Sequence, residues 1–219
     1  MSAANFPVDL VLFGMIALFL VLRLRSILGR RQGFEGMPES ATLRRAPGPV
    51  IEGRAEQVPP PAVRKLPDPA SEIGQVLSSM QAVDRGFAPG PFLNGAEGAF
   101  RMIVAAFAAG DRDKLRPLLT PETFAAFEGA LAAREAAGET QHTEIRGILE
   151  AAIDHASLQG KHAEITVRFV SQQVAITHAS DGTIVAGADA VTELVDVWSF
   201  VRDLTEPGAV WRLAAAHSA

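Results

Sequence analysis

The chain has no cysteine, which removes disulfides, thiolate catalysis and cysteine-based zinc or iron–sulfur sites from consideration. That absence agrees with a reducing compartment. No phosphate-binding glycine loop, nucleophile elbow or Rossmann fingerprint occurs either. The five histidines, His142, His155, His162, His178 and His217, include no H-x-x-x-H pair. They fall at strand ends and turns, where a surface or edge histidine is commoner than a ligand to metal. Basic charge is scarce where a nucleic-acid binder needs it. Residues 87–219 hold 10 Lys+Arg against 17 Asp+Glu, so they lack the cationic footprint that phosphate binding requires. The expectation from these absences is no catalytic residue, no metal, no cofactor and no nucleic-acid partner.

What is present is unevenly spread. A length of 219 residues allows one ordinary domain with room for attachments. Residues 10–22 form an uninterrupted apolar run, extended by Phe6, Val8, Leu24, Ile27 and Leu28 and interrupted by Asp9. A spanning helix needs ~20 apolar residues and a signal-peptide core roughly 7–15, so length alone does not decide. The order of charges does. Arg23, Arg25, Arg30 and Arg31 follow the core instead of preceding it, and no small-residue cleavage site comes after. Arginines of this kind snorkel to the membrane interface, and positive flanks stay cytoplasmic. The expectation is a transmembrane anchor over residues 6–28, single-pass in a bacterial inner membrane, with the C-terminal bulk in the cytoplasm. A buried or interfacial helix is the alternative.

Residues 29–70 lose periodicity and collect eight of the 14 prolines, with Pro59-Pro60-Pro61 the densest spot. Proline removes amide donors and holds its predecessor extended, so a disordered tether is expected. Helical spacing returns over residues 71–86, where Ile73, Val76, Leu77, Met80 and Val83 share a face and Ser71 can cap the start. No lysine or arginine precedes Arg85 on its polar face, which favours packing on protein over lying on a membrane.

Residues 87–219 read as an α+β domain. Phe92, Ala96, Ala99, Phe100, Ile103, Val104 and Phe107 mark a helix that Gly110 ends. Asp111 caps a short helix through Leu115, Leu118 and Leu119, and Thr120-Pro121 starts a third helix running to Gly138. The period then changes to two, with strands expected at 143–157, 161–178, 190–203 and 209–217. A parity slip between Phe169 and Val174 predicts a bulge near residues 170–173, and Asp181-Gly182 signals a turn. Three helices closing one face of a curved antiparallel sheet follow from this order.

Both tryptophans lie in the last quarter. Leu194, Asp196, Trp198, Phe200 and Arg202 share one strand face, and Val195, Val197 and Val201 the other. The simpler interpretation is a core strand whose charges reach its ends or pair, Asp196 with Arg202. The sharper one is a concave face lining an apolar pocket or partner site, formed by Phe92, Phe100, Phe107, Asp196, Trp198, Phe200, Arg202 and Trp211. If such a pocket held an enzyme, Asp196 would be its carboxylate, with His155 or His217 beside it.

Phe92-Leu93-Asn94-Gly95-Ala96, Ala106-Phe107-Ala108-Ala109-Gly110-Asp111, Leu115-Arg116-Pro117-Leu118-Leu119 and Arg134-Glu135-Ala136-Ala137-Gly138 resemble the helical half of the Tim44-like family. Residues 196–203 and Trp211-Arg212-Leu213 resemble its strand signature, and residues 22–31 the anchor of its alphaproteobacterial TimA-type members. The mitochondrial member is the peripheral tether of the presequence import motor. The resemblance implies an NTF2-like cone with an internal pocket, membrane association, and a non-catalytic adaptor role. A phospholipid membrane and an unidentified protein, such as a chaperone or membrane complex, are the implied partners, with homo-oligomerisation left open. Val201 and Ala209-Val210 depart from the expected pattern, and a short proline-rich linker stands where the mitochondrial tether has a long coiled region.

Overall fold

The computed structural model describes residues 62–218. The expected anchor at 6–28, with Arg23, Arg25, Arg30 and Arg31, and the tether up to residue 61 lie outside the described residues. No helix among the described residues is long and apolar enough to cross a membrane.

The elements are β1 (Val63–Lys65), α1 (Glu72–Val83), α2 (Pro89–Ala109), α3 (Arg112–Leu115), α4 (Pro121–Ala136), β2 (Thr140–Gln159), β3 (His162–His178), β4 (Ile184–Asp203) and β5 (Arg212–Ser218). They build a five-stranded sheet in the order β1-β2-β3-β4-β5. Four strands run antiparallel, and β1 joins the β2 edge in parallel. The architecture is α+β, with one strand more than the sequence pattern predicts.

Local chemistry sets the helix ends. The Ser71 hydroxyl accepts from the Gly74 amide, Asp111 accepts from Lys114, and Thr120 accepts from Thr123, each satisfying a first-turn donor. Gly110 ends α2 in the left-handed conformation at φ 72°. The short helix stops at Leu115. Leu118 and Leu119, expected within it, instead run alongside β5, where Leu118 and Thr120 exchange backbone hydrogen bonds with Leu213.

One sheet face is the core face. Ala163, Ile165, Val167 and Phe169 of β3 are buried, while the residues between them are half-exposed. Parity changes at Gln173–Val174, both buried, and the β3–β4 register shifts between Gln173 and Ala175. Opposite the predicted bulge, β2 carries extra residues between Ile145 and Gly147 and between Ile148 and Glu150. The slip legible in β3 is therefore shared with its neighbour, since an extra residue on either strand reverses facing relative to the other. Gly187 makes the same region tight, because at φ 81° a Cβ would stand 1.9 Å from the Ala175 carbonyl oxygen.

Two boundaries need correction. The helix at 72–83 is part of the domain, because Leu77 and Met80 are buried in the same core cluster as Phe100 and Trp198. The last residues of the expected tether are also ordered, since Val63–Lys65 form β1.

Candidate functional site

The face expected to line a pocket is filled by its own side chains. Strand register places Ile165 opposite Phe200, Val167 opposite Trp198 and Phe169 opposite Asp196. Helix α2 lowers Phe92 and Phe100 onto that row. Phe100 stacks on Phe169 at 4.6 Å between ring centres and meets Trp198 at 4.6 Å. Phe92 meets Phe200 edge-on at 6.1 Å and Trp211 at 4.8 Å. Phe87, unremarked in the sequence, extends the cluster to Trp211 at 5.9 Å. Phe92, Phe100, Trp198 and Phe200 are buried, and Trp211 is half-buried against them. Phe107 lies apart, edge-on to Phe127 at 5.1 Å and beneath the guanidinium of Arg134.

Arg134 is a structural arginine. Its guanidinium donates to the Phe107 and Ala108 carbonyls at 2.9 and 3.1 Å and to Gln141 at 2.6 Å. It thereby satisfies orphan carbonyls at the C-terminus of α2, where a cation also complements the helix dipole.

The two charges of the aromatic face do not pair with each other. Six residues along one strand separate them by roughly 20 Å, too far for contact. Asp196 accepts from Gln173 Nε2 at 3.3 Å and from Ser218 Oγ at 3.1 Å, and Gln173 also donates to Ser171 at 2.8 Å. Arg202 turns to Asp84, after α1, at 3.0 Å. His155 and His217 are exposed, and their register partners are Thr166 and Val197, so neither stands opposite Asp196. Ser171 and Gln173 are fully buried and were missed in the sequence. Their one signal was parity, since they continue the row of Ile165, Val167 and Phe169. Within this interior the Trp198 indole N–H is buried without a hydrogen-bond partner.

An open cleft of about 530 Å³ lies at the strand ends instead. Of the expected site residues it takes Arg202 into its wall, with Asp203, His162, Glu164, Arg212 and the 206–210 loop. Its walls are mixed in charge. Lys161 pairs with Asp203 at 2.8 Å, and this ammonium together with the Thr205 amide holds the Asp203 carboxyl far below the ordinary carboxylate range. The Nε of Arg202 is buried with no hydrogen-bond partner. Among the described residues no group of three or more His, Asp or Glu could hold a metal ion.

Comparison with known proteins gives one strong likeness. No curated protein matches the chain significantly. Solved structures of similar shape include the intermembrane-space region of the chloroplast protein ARC6, at 11% identity and a TM-score of 0.40, covering 57% of this chain and 95% of that one. Another is a putative dehydratase of the NTF2-like family from Streptomyces avermitilis, at 14% identity and 0.34, covering 59% and 97%. A third is an NTF2-like protein from Rhodospirillum rubrum, at 18% identity and 0.32, covering 56% and 95%. Residues 73–218 match the Tim44-like domain, from helix α1 to the last described residue of β5, so the chain belongs to the Tim44-like domain family.

Proposed function

We propose that this protein is a non-catalytic, membrane-anchored adaptor whose Tim44-like domain binds a protein partner. Family membership across residues 73–218 supports a membrane-associated adaptor role. The observation that carries the reading further is the filled interior. Phe92, Phe100, Phe169, Trp198 and Phe200 occupy the space between helices and sheet, and the roomy concave surface is an open cleft with Arg202, Asp203 and Arg212 in its wall. Open, charge-mixed surfaces suit a protein rim better than a small apolar cargo. The apolar block at 10–22 and the four arginines after it would hold the domain at the cytoplasmic side of a bacterial inner membrane, in the manner of the TimA-type members. A role in protein translocation or membrane-complex assembly fits that placement.

The test is co-purification of the full chain from detergent-solubilised membranes. A stoichiometric protein partner, lost on Arg202→Glu or Arg212→Glu, is the expected result. A chain that purifies alone under crosslinking would sink the adaptor reading. A periplasm-only reporter fused to the C-terminus should be inactive if the domain is cytoplasmic.

A second reading, a tethered small-ligand carrier, is favoured by the Trp198 indole N–H, buried among the rings without a hydrogen-bond partner. It requires a bound molecule seen by native mass spectrometry of the purified chain and lost in Trp198→Phe.

A further inference from the structure

Strand β1 is attached to the domain in an unusual way. All three of its residues are exposed, so no apolar side chain holds it. Its backbone pairs with three residues of β2, Val63 with Glu150, Arg64 with Ala151 and Lys65 with Ala152. The rest of the attachment is charge. Arg64 donates to both oxygens of Glu97 on α2, at 2.7 and 3.2 Å. Glu97 is nine-tenths buried, and an ionised carboxylate at that depth needs a cation. Lys65 pairs with Glu150, whose other oxygen meets Arg168 at 2.8 Å.

The alternation of a strand explains the division of labour. Successive side chains point to opposite faces, so Arg64 turns toward the helices and Glu97 while Lys65 turns to the outer face and Glu150. The β2 edge is therefore paired, in this chain, with an extended segment in which arginine is followed directly by lysine. Backbone hydrogen bonds supply affinity and two carboxylates supply specificity, which is the logic of recognition by strand addition. No apolar side chain of the three strand residues locks the present occupant in place, although Ala62 just before it packs against the core. Of its two ion pairs, the one at Lys65 has a well-exposed ammonium and is worth little. This strand also lies before the residues matched to the family, which begin at 73.

We propose that the edge of β2 at Glu150–Ala152, flanked by Glu97 and Glu150, is a docking site for an extended basic segment of a partner protein. Val63–Lys65 fills it in cis, and an arginine-lysine strand supplied in trans exchanges with it. The inference does not depend on the cleft at the strand ends, which lies elsewhere and is read by different side chains.

The probe is a fluorescein-labelled peptide of sequence Ala-Val-Arg-Lys-Leu-Pro, with Glu-Glu replacing Arg-Lys as its control, titrated by anisotropy against the full chain. Arg64→Ala and Lys65→Ala together weaken the tethered competitor by removing both of its ion pairs. The basic peptide should then bind about tenfold or more tightly than to the wild type, because a tethered competitor acts at high effective concentration. Adding Glu97→Gln should erase that gain, and the acidic peptide should bind neither protein. Equal binding to the double variant and the wild type, or equal binding of both peptides, overturns the proposal. Should the double variant fail to fold, hydrogen exchange on the wild type takes its place. An excess of the basic peptide should then speed exchange of the amides of residues 63–65, and unchanged exchange overturns the proposal equally.

Discussion

Trp198 on β4 and Lys65 on β1 belong to one five-stranded sheet, yet different forces hold them. Around Trp198 the sheet and α2 bury a contiguous set of rings, and the stabilisation scales with apolar area removed from water. Around Lys65 the strand is exposed and held by three register pairs and two ion pairs. The first region is close-packed, and its apolar contacts offer salt no charge to screen. The second leaves the Arg64 and Lys65 side chains in reach of solvent. The sheet thus combines burial in the centre with charge at the edge.

The comparison breaks most visibly at the centre. Trp198→Ala should destabilise the domain by about 3–5 kcal/mol, since the cavity would be ringed by Phe100, Phe169 and Phe200, which cannot collapse into it. Thermal or urea unfolding measures this, and the loss should be the same in low and high salt. A cost under ~1 kcal/mol would mean that the ring lines open space rather than core.

Arg64→Ala comes next, at about 1.5–3 kcal/mol, because it strands the buried Glu97 without its charged hydrogen-bond partner. The double variant with Glu97→Gln should recover part of that loss, as a double-mutant cycle would reveal. Lys65→Ala should cost less, about 0.2–1 kcal/mol, because the ammonium is well exposed and salt screens it. If the Lys65 effect equalled that of Arg64, the two ends of the latch would not differ in burial as described.

The smallest effect is a pH dependence of the β1 latch. The Lys65 ammonium, helped by Arg168, holds the Glu150 carboxyl below the ordinary glutamate range. A carboxyl depressed in the folded state contributes stability that is present above its unfolded value, about 4.3, and is lost as pH falls through its folded value. The protection of the amides of residues 63–65 against exchange, corrected for the intrinsic effect of pH, should therefore fall on acidification below about pH 4, ahead of that of the buried apolar residues Ile165 and Val167.

Much of the helical half was legible from local chemistry alone. Ser71, Gly110, Asp111 and Thr120-Pro121 act within a few residues of themselves, so the caps they predict are the caps observed. The strand region was legible in period and parity but not in extent. β2 begins at Thr140 and β4 at Ile184, where no simple alternation marks a strand and the neighbouring strand supplies the hydrogen bonds. Leu118 and Leu119 failed as helix for the same reason, since Leu213 offers their backbone a partner that lies far along the chain.

What the sequence by itself determined is whatever depends on near neighbours and on composition: helix caps, strand parity, the aromatic row and the exclusion of thiol chemistry. Tertiary structure alone decided the pairings. Asp196 went to Gln173 and Ser218, Arg202 to Asp84, and Arg64 to Glu97. A charge takes its partner from whatever the fold brings within a few ångströms, and for these three that is a residue on another strand or helix.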